Sequence, residues 1–316
     1  STVLLVLALV ACASAERTVF GKWRYEHGKE YASFEEEEER FAIFQDNLKF
    51  IAAHNLRNDV SFTVGTNQFA DMTNEEYRST LLENKTVITP SFTAKAEADV
   101  DSLDWRVKGA VGPVKDQGQC GSCWAFSTAC AFEGAWAVAG NKYVSVSEKE
   151  IMDCTWDSGN QGCNGGWPSH AAQSIITNQK GQMMSEESYP YSPVSSKTCK
   201  FDAKDTVLTG TKVTEIEAGS EAALMEAVLK VPVSVAIDAA HQSFQLYKSG
   251  VYDEPACTTQ LDHAVAAVGF GTEGGKDYWL VRNSWATVWG DEGYIKMTRN
   301  GNNQCGIASA AMYISA

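Results

Sequence analysis

The chain has 316 residues, with 26 Lys and Arg against 40 Asp and Glu, giving a net charge of −14. Its length exceeds one ordinary domain, so two compact units are expected. Phosphate recognition needs a basic patch; none of the Lys or Arg residues cluster, which excludes nucleic acid as a partner.

In chain order, the first feature is an uninterrupted apolar run from Val3 to Ala13 that ends in Ala13-Ser14-Ala15, a small-residue cleavage pattern. Eleven residues are about half of the roughly 20 needed to cross a bilayer. The run therefore reads as a signal peptide over residues 1–15, with a buried core helix as the alternative, and no membrane span is expected. Neither a methionine nor a basic residue precedes it, so the natural start is expected further upstream. The destination is the secretory pathway, leading to a lysosome, a vacuole or the exterior. In that oxidising compartment nine cysteines mean bridges with one or more thiols left over.

Residues 16–98 carry 15 acidic and 10 basic groups, yet they are patterned rather than tail-like. Ser33 with Glu36 reads as a capping box, Glu35–Glu39 put negative charge in a first turn, and Phe44, Leu48 and Ile51 recur at helical spacing. A helix from Phe34 to Asn55 is expected. Glu36, Arg40, Phe44, Asn47, Ile51 and Asn55 fall on one face of it, with Glu36 and Arg40 as an ion pair above an apolar stripe. Gly65-Thr66-Asn67-Gln68-Phe69-Ala70-Asp71 follows. Thr80 to Val100 is poor in aromatic residues and reads as an exposed linker, within which Asn84-Lys85-Thr86 is an N-glycosylation sequon.

The chemistry concentrates in Gln117-Gly-Gln-Cys-Gly-Ser-Cys-Trp124. After it, Cys123 to Val138 is apolar or small almost throughout and stops before Gly140, so it reads as a buried helix with Cys123 in its first turn. A thiol there lies near the positive end of the helix dipole, which favours the nucleophilic thiolate. Cys123 as a mere disulfide partner, or Cys-Gly-Ser-Cys as a redox dithiol, are the plainer readings. Of five histidines only His263 has a usable context, opening the small and β-branched run Ala264-Val-Ala-Ala-Val-Gly-Phe270. Asn283 stands in Arg-Asn-Ser-Trp, a place where a plain turn residue would also fit. Cys130 lies seven residues beyond Cys123, about 10.5 Å along the helix, too far for a bridge. With Cys12 in the signal run and Cys123 and Cys130 set aside, six cysteines remain, and fifteen pairings are open. Residues 154–167 read as loops; Glu221–Lys230 reads as a helix; strands are expected at Val231–Ile237, His263–Phe270, Tyr278–Val281 and Gly293–Met297. No internal repeat, metal-ligand cluster or phosphate loop is found.

These motifs carry a resemblance. Cys120-Gly-Ser-Cys-Trp124 resembles the nucleophile segment of papain-like cysteine peptidases, whose histidine follows at about the separation of His263 from Cys123. The six positions of Glu36 to Asn55 are similar to the E-x3-R-x3-F-x2-N-x3-I-x3-N motif of cathepsin L-like propeptides, and Gly65–Asp71 to their G-x-N-x-F-x-D motif. The resemblance spans residues 20–316. It implies an α+β, two-lobed papain-like fold, with a helical lobe and an antiparallel β-barrel-like lobe. A helical inhibitory prodomain, residues 16–98, precedes the catalytic domain, residues 99–316. It further implies a zymogen of a cysteine endopeptidase, with Cys123 as nucleophile and His263 as its base in a thiolate–imidazolium pair. Asn283 would orient the base, Trp285 cover that bond, and Gln117 with the Cys123 N–H bind the oxyanion.

The implied disulfides are Cys120–Cys163, Cys154–Cys199 and Cys257–Cys305, leaving Cys130 a buried thiol. The implied pocket for the side chain two residues before the cut bond is Trp167 and Pro168 after Gly165-Gly166, with Ala236, Leu261 and, at its floor, Ala310. An apolar pocket favours hydrophobic side chains. Protein and peptide substrates, the chain's own propeptide as intramolecular inhibitor, a monomer, and neither cofactor nor metal complete the expectation. A catalytically dead binding protein and a Cys-His acyltransferase remain the rival classes. Two positions depart from the family: Val100 where proline is common, and Ala286 where a glycine follows the tryptophan.

Overall fold

The computed structural model describes residues 15–82, 85–86 and 99–316. The expected signal sequence, the sequon asparagine and most of the linker lie outside them.

Helix α1, residues 15–26, puts Phe20 and Trp23 against Phe41 and Phe44 of α2, Phe34–Asn55, with ring centroids 5.0–5.2 Å apart for the pairs made with Phe44. The limits of α2 match the sequence reading, but its charge pairing does not. Ser33 Oγ accepts from the Glu36 N–H, as in a capping box, yet the Glu36 carboxylate turns back to the Ala32 N–H at 2.7 Å rather than to Ser33. Arg40 also passes over Glu36 and binds Glu76 at 2.8 Å and the Asp71 carbonyl at 3.1 Å. The reason is geometric: a long guanidinium on this face reaches a second chain segment that offers fixed acceptors, whereas Glu36 is drawn to the backbone donors at its own helix start. The same face sends Asn47 Nδ2 to the Ala70 and Met72 carbonyls and pairs Asn55 with both backbone groups of Val64. The two sequence motifs are thus the two halves of one hydrogen-bonded unit. Strand β1, Phe62–Val64, and helix α3, Asn74–Leu81, complete this unit. Thr73 and Glu76 form a full capping box on α3. A two-residue strand β2, Lys85–Thr86, follows.

The remainder opens with β3, Leu103–Asp104, and then the helical lobe: α4, Cys123–Val138; α5, Glu148–Cys154; and α6, Pro168–Asn178, which starts on proline. Helix α4 coincides with the expected element and is buried on every side from Cys123 to Ala135, so its lack of amphipathicity is what its surroundings require. The hairpin of β4, Gln182–Met184, and β5, Thr206–Thr209, closes this lobe. The β lobe contains β6, Lys212–Glu215; α7, Glu221–Val228; β7, Val233–Ile237; α8, Gln242–Gln245; β8, Tyr247–Tyr252; β9, Gln260–Leu261; β10, His263–Glu273; β11, Lys276–Arg282; β12, Tyr294–Thr298; and β13, Ala311–Ser315.

Its sheet runs β1-β8-β12-β11-β10-β7-β13-β6, with β3 beside β10. All neighbours are antiparallel except β8 with β12. The strand β10 is buried from His263 to Gly271 because α4 covers one face and an aromatic core the other, hence its continuous apolar run. Gly269 is required where β3 docks: a Cβ there would come within 2.2 Å of the Leu103 carbonyl.

Residues before the linker are part of this body. Strand β1 is the edge strand beside β8, and Phe20, Trp23, Phe44, Phe69 and Tyr77 share one core with Phe244, Trp285 and Trp289. Tyr77 is fully buried, donates to the Ala239 carbonyl at 2.9 Å, and stands edge-on to Trp285 at 5.6 Å. Truncating such an aromatic costs about 3–5 kcal/mol. Tyr77→Ala should therefore lower the thermal midpoint of the whole chain by several degrees; a midpoint within 1 °C of the parent would contradict this packing role (about 4–8 °C per kcal/mol holds only for small domains, less here).

Candidate active site

Cys123 begins α4, and His263 begins β10, so the packing of helix on strand brings the two chain segments together. The contact that fixes this is the backbone N–H of Ala264, which lies 3.4 Å from Cys123 Sγ and donates to it. His263 Nε2 lies 2.7 Å from Asn283 Oδ1, at the end of β11. An amide oxygen only accepts, so Nε2 carries the proton, and Nδ1 of the neutral ring is the basic nitrogen. That Nδ1 is buried without a hydrogen-bond partner. The Ser284 N–H donates to Asn283 Oδ1 as well, at 2.8 Å, which fixes the amide with its oxygen toward the imidazole.

Burial pushes the His263 pKa down to about 4, with the Asn283 bond opposing the shift. In this closed form the ring is neutral at neutral pH. The cover is visible: Trp285 stacks on the imidazole with centroids 4.5 Å apart, and Phe69 stands edge-on to Trp285 at 5.3 Å. Gln68 Nε2 donates to the Trp285 carbonyl at 2.7 Å. Strand β2 pairs with β9, two residues before His263.

Gln117 is fully buried on the loop before α4. Its Oε1 accepts from Ser284 Oγ at 2.7 Å, and its Nε2 donates to the Cys120 carbonyl at 2.9 Å. At the N-cap of α4, Ser122 turns its hydroxyl to Tyr191 and not to the helix. Disulfides join Cys120 to Cys163, Cys154 to Cys199 and Cys257 to Cys305. The first, with Gly121 N–H donating to the Cys163 carbonyl, holds the loop that carries Gln117 to Cys123. Cys130 is buried, and burial raises its thiol pKa.

A cavity of about 180 Å³ opens between α6 and the sheet, lined by Trp167, Pro168 and Ala310 together with Ile216, Met312 and Glu215. Ala236 lies beside it on β7 and donates its N–H to the Ala310 carbonyl at 3.1 Å, while Leu261 is buried on β9. Gly166 can carry no side chain, since a Cβ would lie 2.5 Å from the Trp124 ring. Gly165 takes a left-handed backbone, φ 111°. Glu215 was not legible in advance: it ends an edge strand whose register against Met312 only the fold supplies. The pocket therefore has a mixed lining, in which Trp167, Ile216, Ala310 and Met312 are apolar while Ser169, Ser234, Ser309 and the Glu215 carboxylate are polar. Ser284, which holds both Gln117 and Asn283, was also missed, although it sits within the Asn-Ser-Trp motif.

Residues 100–315 match the family model of papain family cysteine proteases, and residues 20–77 match the cathepsin propeptide inhibitor domain. The chain belongs to the papain family of cysteine proteases. It is a cathepsin L-like zymogen in which inhibitor domain and protease are one polypeptide. Digestive cysteine proteinase 1 of Homarus americanus is 48% identical, covering 97% of this chain and 96% of that protein. Cathepsin L1 of Drosophila melanogaster is 44% identical, over 98% and 89%. Among solved structures, digestive procathepsin L 3 from the larval midgut of Tenebrio molitor superposes with a TM-score of 0.86 at 38% identity, covering 95% of this chain and 99% of that one.

The papain-family departure at Ala286 has a structural cost: this alanine takes φ 56°, in the left-handed region. A left-handed non-glycine residue costs roughly 1–2 kcal/mol, which is partly offset because glycine loses more entropy on folding. Ala286→Gly should therefore stabilise the protein by about 0.5–1 kcal/mol. Urea unfolding measures it, and an unchanged or lower midpoint would show that the strain is relieved elsewhere.

Proposed function

We propose that this chain is the precursor of an endopeptidase in which Cys123 attacks the scissile carbonyl and His263 serves as its base and acid. The Ala264 N–H contact to Cys123 Sγ supports this reading, because it brings the residue next to His263 to the thiol while His263 Nδ1 is buried with no hydrogen-bond partner of its own. When the propeptide leaves and water returns, the desolvation that keeps His263 neutral is relieved, and proton transfer from Sγ to Nδ1 gives the thiolate–imidazolium pair. The thiolate adds to the carbonyl carbon, and the oxyanion is held by the Cys123 N–H and the Gln117 amide. His263 protonates the departing amine, water cleaves the acyl-enzyme, and Asn283 keeps the ring in register. Residues 16–98 act as the inhibitory propeptide and residues 99–316 as the monomeric protease, with the mature start near Asp99 and the destination lysosomal, vacuolar or extracellular. The relatives named as digestive proteinases support bulk hydrolysis of protein substrates.

Cys123→Ala should abolish hydrolysis of a fluorogenic peptide and leave the fold intact, and turnover within tenfold of the parent would refute the assignment. Asn283→Ala should be milder than His263→Ala, since it orients the base without exchanging a proton.

Of the expected pocket residues Trp167, Pro168 and Ala310 line the cavity between α6 and the sheet, and a side chain seated against them gains by burying hydrocarbon, about 25 cal/mol per Å². Paired peptides with Leu or Arg two residues before the cut should favour Leu by about tenfold in kcat/KM, consistent with ~1.4 kcal/mol per factor of ten. Ala310→Glu should narrow that ratio; equal or reversed rates in the parent would show that this cavity is not the specificity pocket.

Latency should be lost in acid through the Arg40–Glu76 pair. Burial raises the Glu76 pKa, but the Thr73 N–H and Arg40 outweigh it, so the net shift is downward. Its stabilisation of the docked propeptide is then fully present above the ordinary value of 4.5 and is lost as pH falls through the depressed value. Glu76→Gln should weaken propeptide inhibition at neutral pH and flatten its dependence below pH 4.5; an unchanged profile would assign the acid trigger to another group.

A further inference from the structure

Arg282 ends β11 immediately before Asn283 and is almost wholly buried, at 7% exposure. Its guanidinium crosses the seam between the lobes. Nη2 donates to the Pro113 carbonyl, and Nη1 lies 3.8 Å from Glu133 Oε2 on α4, the helix that carries Cys123. Glu133 is itself fixed: its Oε1 accepts from the Val146 N–H at 3.0 Å and from Lys115 Nζ at 3.2 Å, and Lys115 also binds Glu148 at 2.6 Å. Two cations and two carboxyl groups thus share an interior site behind the catalytic residues, where breaking one pairing leaves a charge buried. A small cavity of about 10 Å³ has Arg282, Asn283, Ser284, Lys115 and Cys130 among its lining residues, and Arg282 Nε and Asn283 Nδ2 are each buried without a hydrogen-bond partner. The guanidinium is thus part of the wall behind the Asn283 amide.

We infer that Arg282 is a positioning residue for the peptidase reaction: by bracing the end of β11 against Pro113 and Glu133 of the opposite lobe, it holds the Asn283 amide on the His263 imidazole. The inference rests on Asn283 as the group that orients His263. The guanidinium meets the Pro113 carbonyl with one nitrogen and the Glu133 carboxylate, at 3.8 Å, with another, both held in one rigid plane, whereas a lysine offers a single nitrogen on a flexible stem. The groups facing the guanidinium are Glu133 and Cys130 of α4, Tyr143, Tyr294 of β12 and Lys115. Around His263, Asn283 bonds the ring and Trp285 and Phe244 stand against it, and no charged group contributes to its shift. Since the Asn283 bond raises the His263 pKa, loosening that bond lowers it. The limb of the pH–rate profile on which the imidazolium is lost then moves to lower pH.

The experiment compares Arg282→Lys, Arg282→Met, Asn283→Ala and the Arg282→Lys/Asn283→Ala pair, each made as the full chain and activated in acid. Readouts are thermal midpoint, kcat, KM and the pH profile of kcat/KM on one Leu-containing fluorogenic peptide. Arg282→Lys should lower kcat about tenfold with KM within about twofold, as expected for a small misplacement of a catalytic partner. Its alkaline limb should move down in pH in the same direction as that of Asn283→Ala. The double variant should be no slower than Asn283→Ala alone. A purely structural arginine would lower the thermal midpoint while leaving the limb in place, and that result, or losses that multiply in the double variant, overturns the inference. Where Arg282→Met yields no folded protein, Arg282→Lys decides alone. A wild-type rate and limb in Asn283→Ala would overturn the reading of Asn283 and this inference with it, whereas an effect there without one in Arg282→Lys overturns only the role of Arg282.

Discussion

The packing of α4 against β10 is the constraint on which the rest of this molecule depends. It joins a helix from one half of the chain to a strand 140 residues later, and its centre is polar: Ser127 Oγ lies 2.6 Å from Ser234 Oγ and donates to the Val265 carbonyl at 2.7 Å. Small side chains on the facing surfaces allow the approach: Cys123 of α4 shares a buried cluster with Ala264 of β10, and Cys130 shares one with Ala266. An apolar interface alone would tolerate sliding; hydrogen bonds buried within it do not, because a shifted register would leave their polar atoms unmatched. The separation of Cys123 from His263 is in this way set by groups that take no part in the chemistry.

Much of this was legible in the chain. The limits of α2 and α4 could be read from capping, helical spacing and an apolar run ended by glycine, because those signals are local. The motif residues could be read too, but the physical reason for their spacing could not. The amide groups of Asn47 and Asn55 donate to backbone carbonyls at Ala70, Met72 and Val64, which leave no trace in residue identity. The supposed Glu36–Arg40 pair failed for the same reason: neighbours on a helix compete with acceptors from elsewhere, and here Glu76 wins. Strands β1 and β8 were not foreseen, because β1 has only three residues and β8 has no regular apolar alternation, so their pairing is set by the sheet. Glu215 entered the pocket lining through sheet register, which an isolated edge strand does not announce.

The inhibitor domain and the protease divide the chain in sequence but not in packing. Gln245 shows how closely they are joined: its Nε2 donates to the Phe69 and Met72 carbonyls, and its own carbonyl accepts from Asn67 Nδ2. Aromatic rings continue the contact down to the imidazole. The active site is closed by the same groups that complete the core, so latency and stability are coupled by construction.

That coupling reaches the margin of the sheet. With β1 in place, β8 has a neighbour on each side; once the propeptide is removed, Tyr247 to Tyr252 becomes a border strand with backbone donors and acceptors facing solvent, beside the newly bared rings of Trp285 and Tyr247. Such margins invite pairing with other chains. In the zymogen β1 covers that margin, so the segment that occludes the histidine also finishes the sheet.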